Sequence, residues 1–268
     1  MSEGSGREQN ELVRERFTRS ADAFSRFAVP YRVADTEVIA RLASPRPEDL
    51  GLDLACGPGT FTLALARRAR FVFGFDLTPA MLGFARRRLS EESIENVALV
   101  CGDASALPFP TGSIDVAVSG YSFHHMSDPL GVLRELARVV RRGGRVALVD
   151  IFVPEGADAE ANDGIERARD ASHNHTLGRA EFPAIIAEAG FRIDATESLE
   201  RPRLFNDWLH VAGWQPDDPA ARKTRRLLEA TLSSDAAGLH PRLVAGSREA
   251  EPEIEFIQSS LFLAAEKA

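Results

Sequence analysis

The side chains best suited to chemistry fall in a few short clusters. Asp53-Leu54-Ala55-Cys56-Gly57-Pro58-Gly59-Thr60 is a turn of small residues, and backbone without bulky side chains can come close to a ligand. It opens like a dinucleotide fingerprint, but Thr62 stands where that motif needs its third glycine, which weakens a pyrophosphate reading. Asp76 ends an apolar run nineteen residues after Gly57, and a carboxylate there can accept hydrogen bonds from a ribose diol, as dinucleotides and adenosyl ligands both require. Two further clusters are Cys101-Gly102-Asp103-Ala104 and Ser119-Gly120-Tyr121-Ser122-Phe123-His124-His125-Met126. An imidazole with an ordinary pKa of about 6.5 suits proton removal at neutral pH, so His124 and His125 are candidate bases or acceptor-orienting groups, with capping and packing as their alternative roles. Asp170, His173 and His175 form a last polar cluster. Histidines two apart face one side only in an extended segment, so a two-histidine, one-carboxylate metal site is not expected; a polar network or substrate contacts are.

Elements must bring these clusters together. From Leu50 to Asp150, short β-type runs alternate with longer stretches of helical period, the pattern of βαβ units around a parallel sheet. Strands are expected at Leu50–Leu54, Phe71–Asp76, Val97–Cys101, Ile114–Ser119 and Arg145–Ile151, with helices at about Thr60–Arg70, Pro79–Glu91 and Pro129–Arg141. Each chemical cluster then lies at the carboxyl end of a strand, where open parallel sheets bind ligands. Ahead of this core, Glu8 to Leu42 reads as helical, with Phe17, Ala21, Phe24 and Ala28 on one stripe. Behind it come a polar stretch to Gly178, a helix at about Arg179–Ala189, a strand near Phe191–Ser198, helical text around Phe205–Trp214 and Pro219–Ser233, and a last strand at about Glu253–Ala264. The chain thus divides into an N-terminal helical segment (1–48), a ligand-binding core (49–153), and a C-terminal part (154–268) of helical lid insertions and the last strands.

Taken in order, Asp53-x-Ala-Cys-Gly-Pro-Gly, Asp76, Gly102-Asp103-Ala104 and the end of the fourth strand resemble the class I S-adenosylmethionine-dependent methyltransferases. The Phe-His-His segment is similar to the branch related to ubiquinone and menaquinone biosynthesis methyltransferases. Phe17-Thr-Arg-Ser-Ala, Arg169-Asp170-Ala-Ser-His173 and Asp207-Trp208 are similar to bacterial small-molecule methyltransferases of unassigned substrate. The resemblance implies a Rossmann-like, doubly wound, mostly parallel sheet of seven strands. It also implies S-adenosylmethionine as cofactor, with its amino-acid end by Asp53, Ala55, Cys56, Gly57, Gly59 and Ser119. The ribose is then expected on Asp76, and the adenine among Leu77, Met81, Gly102, Asp103 and Ala104. Phe24, Tyr31, His173, His175 and Trp208 are the candidates for contacting a small-molecule acceptor, methylated at a ring carbon, hydroxyl or amine. Two departures are Ala55, where relatives more usually have glycine, and Phe24, where they often have tyrosine.

Composition narrows the partners. Thirty-two basic against forty acidic side chains leave a net charge of −8, which on average repels a polyanion, so nucleic acid is not an expected partner. No apolar run approaches the ~20 residues that span a bilayer. Two cysteines without a Cys-x-x-Cys pairing fit a reducing cytoplasm and indicate neither disulfides nor thiolate zinc; a monomer or homodimer is expected. Two other functions remain: an accessory protein that binds the same cofactor without turnover, and a nicotinamide-dependent oxidoreductase, against which Thr62 and Gly102-Asp103-Ala104 speak.

Overall fold

The computed structural model describes residues 3–246 and 252–268, with the side chains of residues 3–5, Pro30 and Tyr31 outside the description. Short, continuously apolar strands such as Val146–Val149 are buried on both faces, as a sheet covered by helices on each side requires. Strands β1 (Leu50–Leu54), β2 (Phe71–Asp76), β3 (Val97–Cys101), β4 (Ile114–Gly120) and β5 (Val140–Ile151) run parallel. The long β8 (Glu253–Lys267) lies antiparallel between β5 and β6 (Phe191–Leu204), and short β7 (Arg242–Val244) pairs with β8. The order β3-β2-β1-β4-β5-β8-β6 is the expected seven-stranded sheet, with β7 as an eighth strand off its path.

Alternation along the strands splits the core. Leu52, Leu54 and Leu148 join the face covered by α5 (Pro129–Val139) and α7 (Glu181–Glu188). Val116, Val118 and Val149 join the face covered by α2 (Ala21–Ala43) and α3 (Thr60–Ala66). The helix α4 (Pro79–Glu91) follows β2 with proline in its first turn, where the missing N–H costs nothing. A third core lies under the C-terminal part. Trp208 of α8 (Phe205–Val211) and Leu228 of α9 (Pro219–Ala230) pack there with Ile165 and with Phe256 of β8.

Several boundaries differ from the sequence expectation. The N-terminal stripe is two helices, α1 (Glu3–Arg19) and α2, broken at Ser20, whose hydroxyl bonds back to the Arg16 carbonyl at 3.0 Å. The helix α3 stops at Ala66, because the Asn96 side chain donates to the carbonyls of Ala66 and Ala69 at 2.9 and 3.0 Å. The polar stretch 154–178 contains α6 (Ala159–Arg169), N-capped by Asp158. Its buried face carries Asn162, Asp163 and Glu166 beside Ile165, so no apolar period announced it. The strand β6 runs on through Pro202 to Leu204 and is an edge strand, where proline is tolerated.

Candidate cofactor and acceptor site

At the switch point between β1 and β4, the carboxyl ends of β1 to β4 open into a cavity of about 560 Å³, roofed by α1 and α2. The loop after β1 enters it with unusual backbone. Ala55 and Gly57 both have positive φ, 56° and 52°, and a Cβ on Gly57 would meet nothing within 4 Å, so its open side faces the cavity. Gly59, with φ 78°, does not line the cavity; it sits where a Cβ would press on Ala85 at 3.2 Å and so lets α3 pack against α4.

Asp76 organises this corner. Its carboxylate accepts the Gly57 N–H and the Thr78 N–H, each at 2.8 Å, and burial holds its pKa above the ordinary carboxylate value. Leu77, Met81, Gly102, Asp103 and Ala104 line the same cavity. Asp103 accepts from the Ser105 N–H at 2.9 Å and from the Asn10 side chain of α1 at 2.7 Å, which ties the roof to the third strand. A Cβ on Gly102 would strike the Phe75 ring at 2.6 Å, so glycine is required there by packing.

Two expected contacts lie behind this wall. Asp53 is fully buried beneath the loop, where one oxygen accepts the Thr62 hydroxyl at 2.6 Å and the other has no partner among the described residues. Burial pushes its pKa up to about 7. Ser119 donates to the Leu54 carbonyl at 2.7 Å and meets the Ser122 hydroxyl at 2.9 Å, again inside the sheet. Neither lines the cavity, whereas Cys56 does, and burial raises its thiol pKa well above the ordinary value, so it stays a neutral filler.

The structure separates the two histidines. His125 lines the cavity. Its Nδ1 lies 3.0 Å from the Ser172 carbonyl, which can only accept, so Nδ1 carries the proton and Nε2 is left with the lone pair. Burial, reinforced by the charge of His124, pushes its pKa down to about 3, so the ring is neutral at any physiological pH. His124 lies outside this cavity and binds Asp150 of β5 through Nδ1 at 2.6 Å. Burial opposes its charging, but the Asp150 carboxylate outweighs burial and holds its pKa above the ordinary value. Its carbonyl accepts the N–H groups of Asn174 and His175, so His124 fastens β4 to β5 and to the 154–178 segment.

His173 and His175 take the polar-network role and not the substrate-contact role expected beside it. They grip opposite oxygens of Asp163 on α6, at 2.8 and 2.7 Å, and neither lines this cavity or the smaller annex behind it. The 154–178 segment is thereby pinned to its own helix. Among the described residues no group of three or more metal-ligating side chains is arranged to hold a metal ion. Phe24 does line the cavity, Trp208 lines only a smaller annex behind it, and the Tyr31 side chain lies outside the described residues.

Other lining residues were not assigned a role from the sequence. Tyr121 has φ 58° and donates its hydroxyl to Asp35 at 2.8 Å; burial, then the Asp35 charge, raises its pKa. Asn10 and Phe17 come from α1, and of the two only Phe17 belongs to a motif noted in the sequence.

Residues 52–148 match the family described as "Methyltransferase domain", and the sheet is the class I, Rossmann-like fold of its solved neighbours. Over 222 residues it is 29% identical to an uncharacterized methyltransferase, YcgJ, of Bacillus subtilis, covering 82% of this chain and 86% of that one. The crystal structure of YcgJ superposes with a TM-score of 0.76 at 26% identity, over 87% of this chain and 97% of that one. A demethylmenaquinone methyltransferase of Lactococcus lactis is 40% identical over 106 residues, 38% of this chain and 42% of that protein, so the chain spans less than half of this relative. Among the described residues no helix is long and apolar enough to cross a membrane.

Proposed function

We propose that the protein binds S-adenosylmethionine against β1–β3 and transfers its methyl group to a small-molecule acceptor held between β4, α1 and α2. The observation that carries this reading is the convergence of Gly57, Asp76, Leu77, Met81 and Asp103 on one cavity that continues to His125. The residues suit the cofactor: Gly57 leaves open space where any Cβ would project, and the buried Asp76 carboxylate keeps lone pairs beyond the two it gives to backbone N–H groups. When bound, the cofactor supplies an electrophilic methyl carbon whose in-line displacement requires no protein nucleophile.

The chain's part is then to bind and orient. Asp76 accepts from the ribose hydroxyls, Asp103 faces the adenine amine, and Leu77 and Met81 pack on the base. Alignment of acceptor and methyl carbon at about 3 Å provides most of the rate. His125, neutral with Nε2 available, accepts a hydrogen bond from an acceptor hydroxyl or amine and fixes its lone pair; with a pKa near 3 it is better suited to orientation than to full proton removal. Calorimetry with S-adenosylhomocysteine, followed by turnover of S-adenosylmethionine over a panel of phenols, quinols and amines, tests the reading. Micromolar binding with release of demethylated cofactor is expected. Binding without turnover across the panel would favour an accessory role, and no binding would overturn both.

A further inference from the structure

Beyond the main cavity lies an annex of about 70 Å³, and the two share Phe17, Phe24, Arg32, Tyr121 and His125 as lining. The residues assigned to the cofactor, Gly57, Asp76 and Asp103, line only the main cavity. The annex is rich in arginine, and its two carboxylates are already engaged. Asp170 accepts from Arg16 at 2.9 Å and from Ser172, while Asp35 takes both Nη atoms of Arg201 and the Tyr121 hydroxyl.

Arg32 has no such partner: among the described residues no carboxylate lies within ion-pair distance of it. Its guanidinium stands 3.9 Å from the centroid of the Tyr121 ring and 5.4 Å from that of Phe24, a stacked geometry that leaves the planar fork free. Arg169 lines the same annex; one of its nitrogens holds Glu166 at 2.8 Å, but its buried Nε has no hydrogen-bond partner among the described residues. Arg32 is half-buried, and Asp35 and Asp150 favour its charge from a distance without bonding it, so its fork is open to the strong, bidentate bond of a carboxylate.

We propose that the annex takes a carboxylate of the methyl acceptor, bound by Arg32 with Arg169 behind it, so that the substrates are small molecules with an apolar body and one carboxylate end. This rests on the methyltransferase reading above. It places the carboxylate past the ring of aromatic side chains and His125, and leaves the rest of the acceptor in the main cavity.

The test uses phenylacetate, 3-phenylpropanoate, 4-phenylbutanoate and their amides, titrated into the full chain with and without saturating S-adenosylhomocysteine. At least one acid is expected to bind tenfold or more tighter than its own amide. Arg32→Gln should erase that preference while changing the S-adenosylhomocysteine Kd by less than twofold. Arg32→Lys, which keeps the charge and loses the fork, should cut the preference at least threefold and carries the test if Arg32→Gln fails to fold. No acid preferred over its amide, or a preference that survives in these variants, overturns the proposal. Loss of S-adenosylhomocysteine affinity in Arg32→Gln also overturns it, by assigning Arg32 to the cofactor's own carboxylate. Should S-adenosylhomocysteine not bind the unaltered chain, the functional reading fails, and the acid-to-amide ratio without it still decides the annex.

Discussion

The cavity wall built from β1–β3 and the wall built from α1, α2 and the 154–178 segment hold their polar groups by different means. On the first, Asp76 is positioned by backbone N–H groups within a few residues or one neighbouring loop, and Asp103 by the Ser105 N–H together with one side chain from the roof, Asn10. On the second, the groups are positioned by side chains far apart in the chain: Arg16 with Asp170, Asp35 with Arg201, Gln9 on the carbonyls of His125 and Ser172. A ligand common to a large family needs a wall that short motifs can rebuild; a wall made of long-range ion pairs can be rewired by single substitutions. The first wall therefore suits an invariant cofactor and the second a particular acceptor.

Substitutions can break or sharpen this contrast. Gly57→Val should have the largest effect, since it puts a β-branched residue at φ 52° and fills the cavity side of the loop. The S-adenosylhomocysteine Kd should rise at least ~100-fold, about 2.7 kcal/mol, with an unchanged far-UV circular dichroism spectrum. Retained affinity would remove the ligand from the first wall. On the second wall, His125→Ala should lower turnover about 10²-fold with little change in cofactor affinity. Because His125 is neutral down to about pH 3, it contributes no ionisation to the kcat profile between pH 5 and 8. An inflection in that range that disappears in the variant would contradict the assignment.

Asp76→Ala should weaken cofactor binding by about 1–3 kcal/mol, through lost ligand bonds and a loosened Gly57 loop. Asp53→Asn acts on stability. Its folded pKa, near 7, lies above the unfolded value, so the folded state holds the extra proton between about pH 4 and 7, and stability is lost as pH rises through that window. The variant removes this slope, so its unfolding free energy should gain on the parent's as pH increases, by about 3–4 kcal/mol between pH 4 and 7, with cofactor affinity little changed. A constant gap, or a large loss of affinity, would place Asp53 in the ligand site instead. Ala55→Gly, relieving φ 56°, should stabilise by at most ~1 kcal/mol, read as a small rise in the denaturation midpoint.

The contrast also explains what the sequence disclosed. Strands β1 to β3 and helix α4 start and stop where apolar runs, proline and glycine put them, and the turn at Gly57, Asp76 and Asp103 converge on one cavity as their spacing suggests. Asp53, Gly59 and Ser119 share those motifs yet sit behind the wall, because period alone does not say whether a side chain at a strand's end faces ligand or loop. The second wall was mostly silent. Nothing near His173 and His175 announces that both turn onto Asp163, a residue hidden on the polar buried face of α6. The stacking of Arg32 on Tyr121, which arrives from β4, is a long-range contact that local sequence does not show.

The attachment of α1 has a consequence for traffic. Its outer half is held to the site by the side chains of Gln9 and Asn10, the inner end by the buried Arg16–Asp170 pair, and the chain bends at Ser20 just beyond. The neutral Gln9 bonds are worth on the order of 1 kcal/mol each and the Asn10–Asp103 bond about 1.5–3, whereas breaking the buried Arg16–Asp170 pair costs several kcal/mol, so the outer turns of α1 open first. On the proposed reading, spent cofactor departs by peeling back the first turns of α1, and amide exchange there should be fast in the free protein and slowed when S-adenosylhomocysteine is bound.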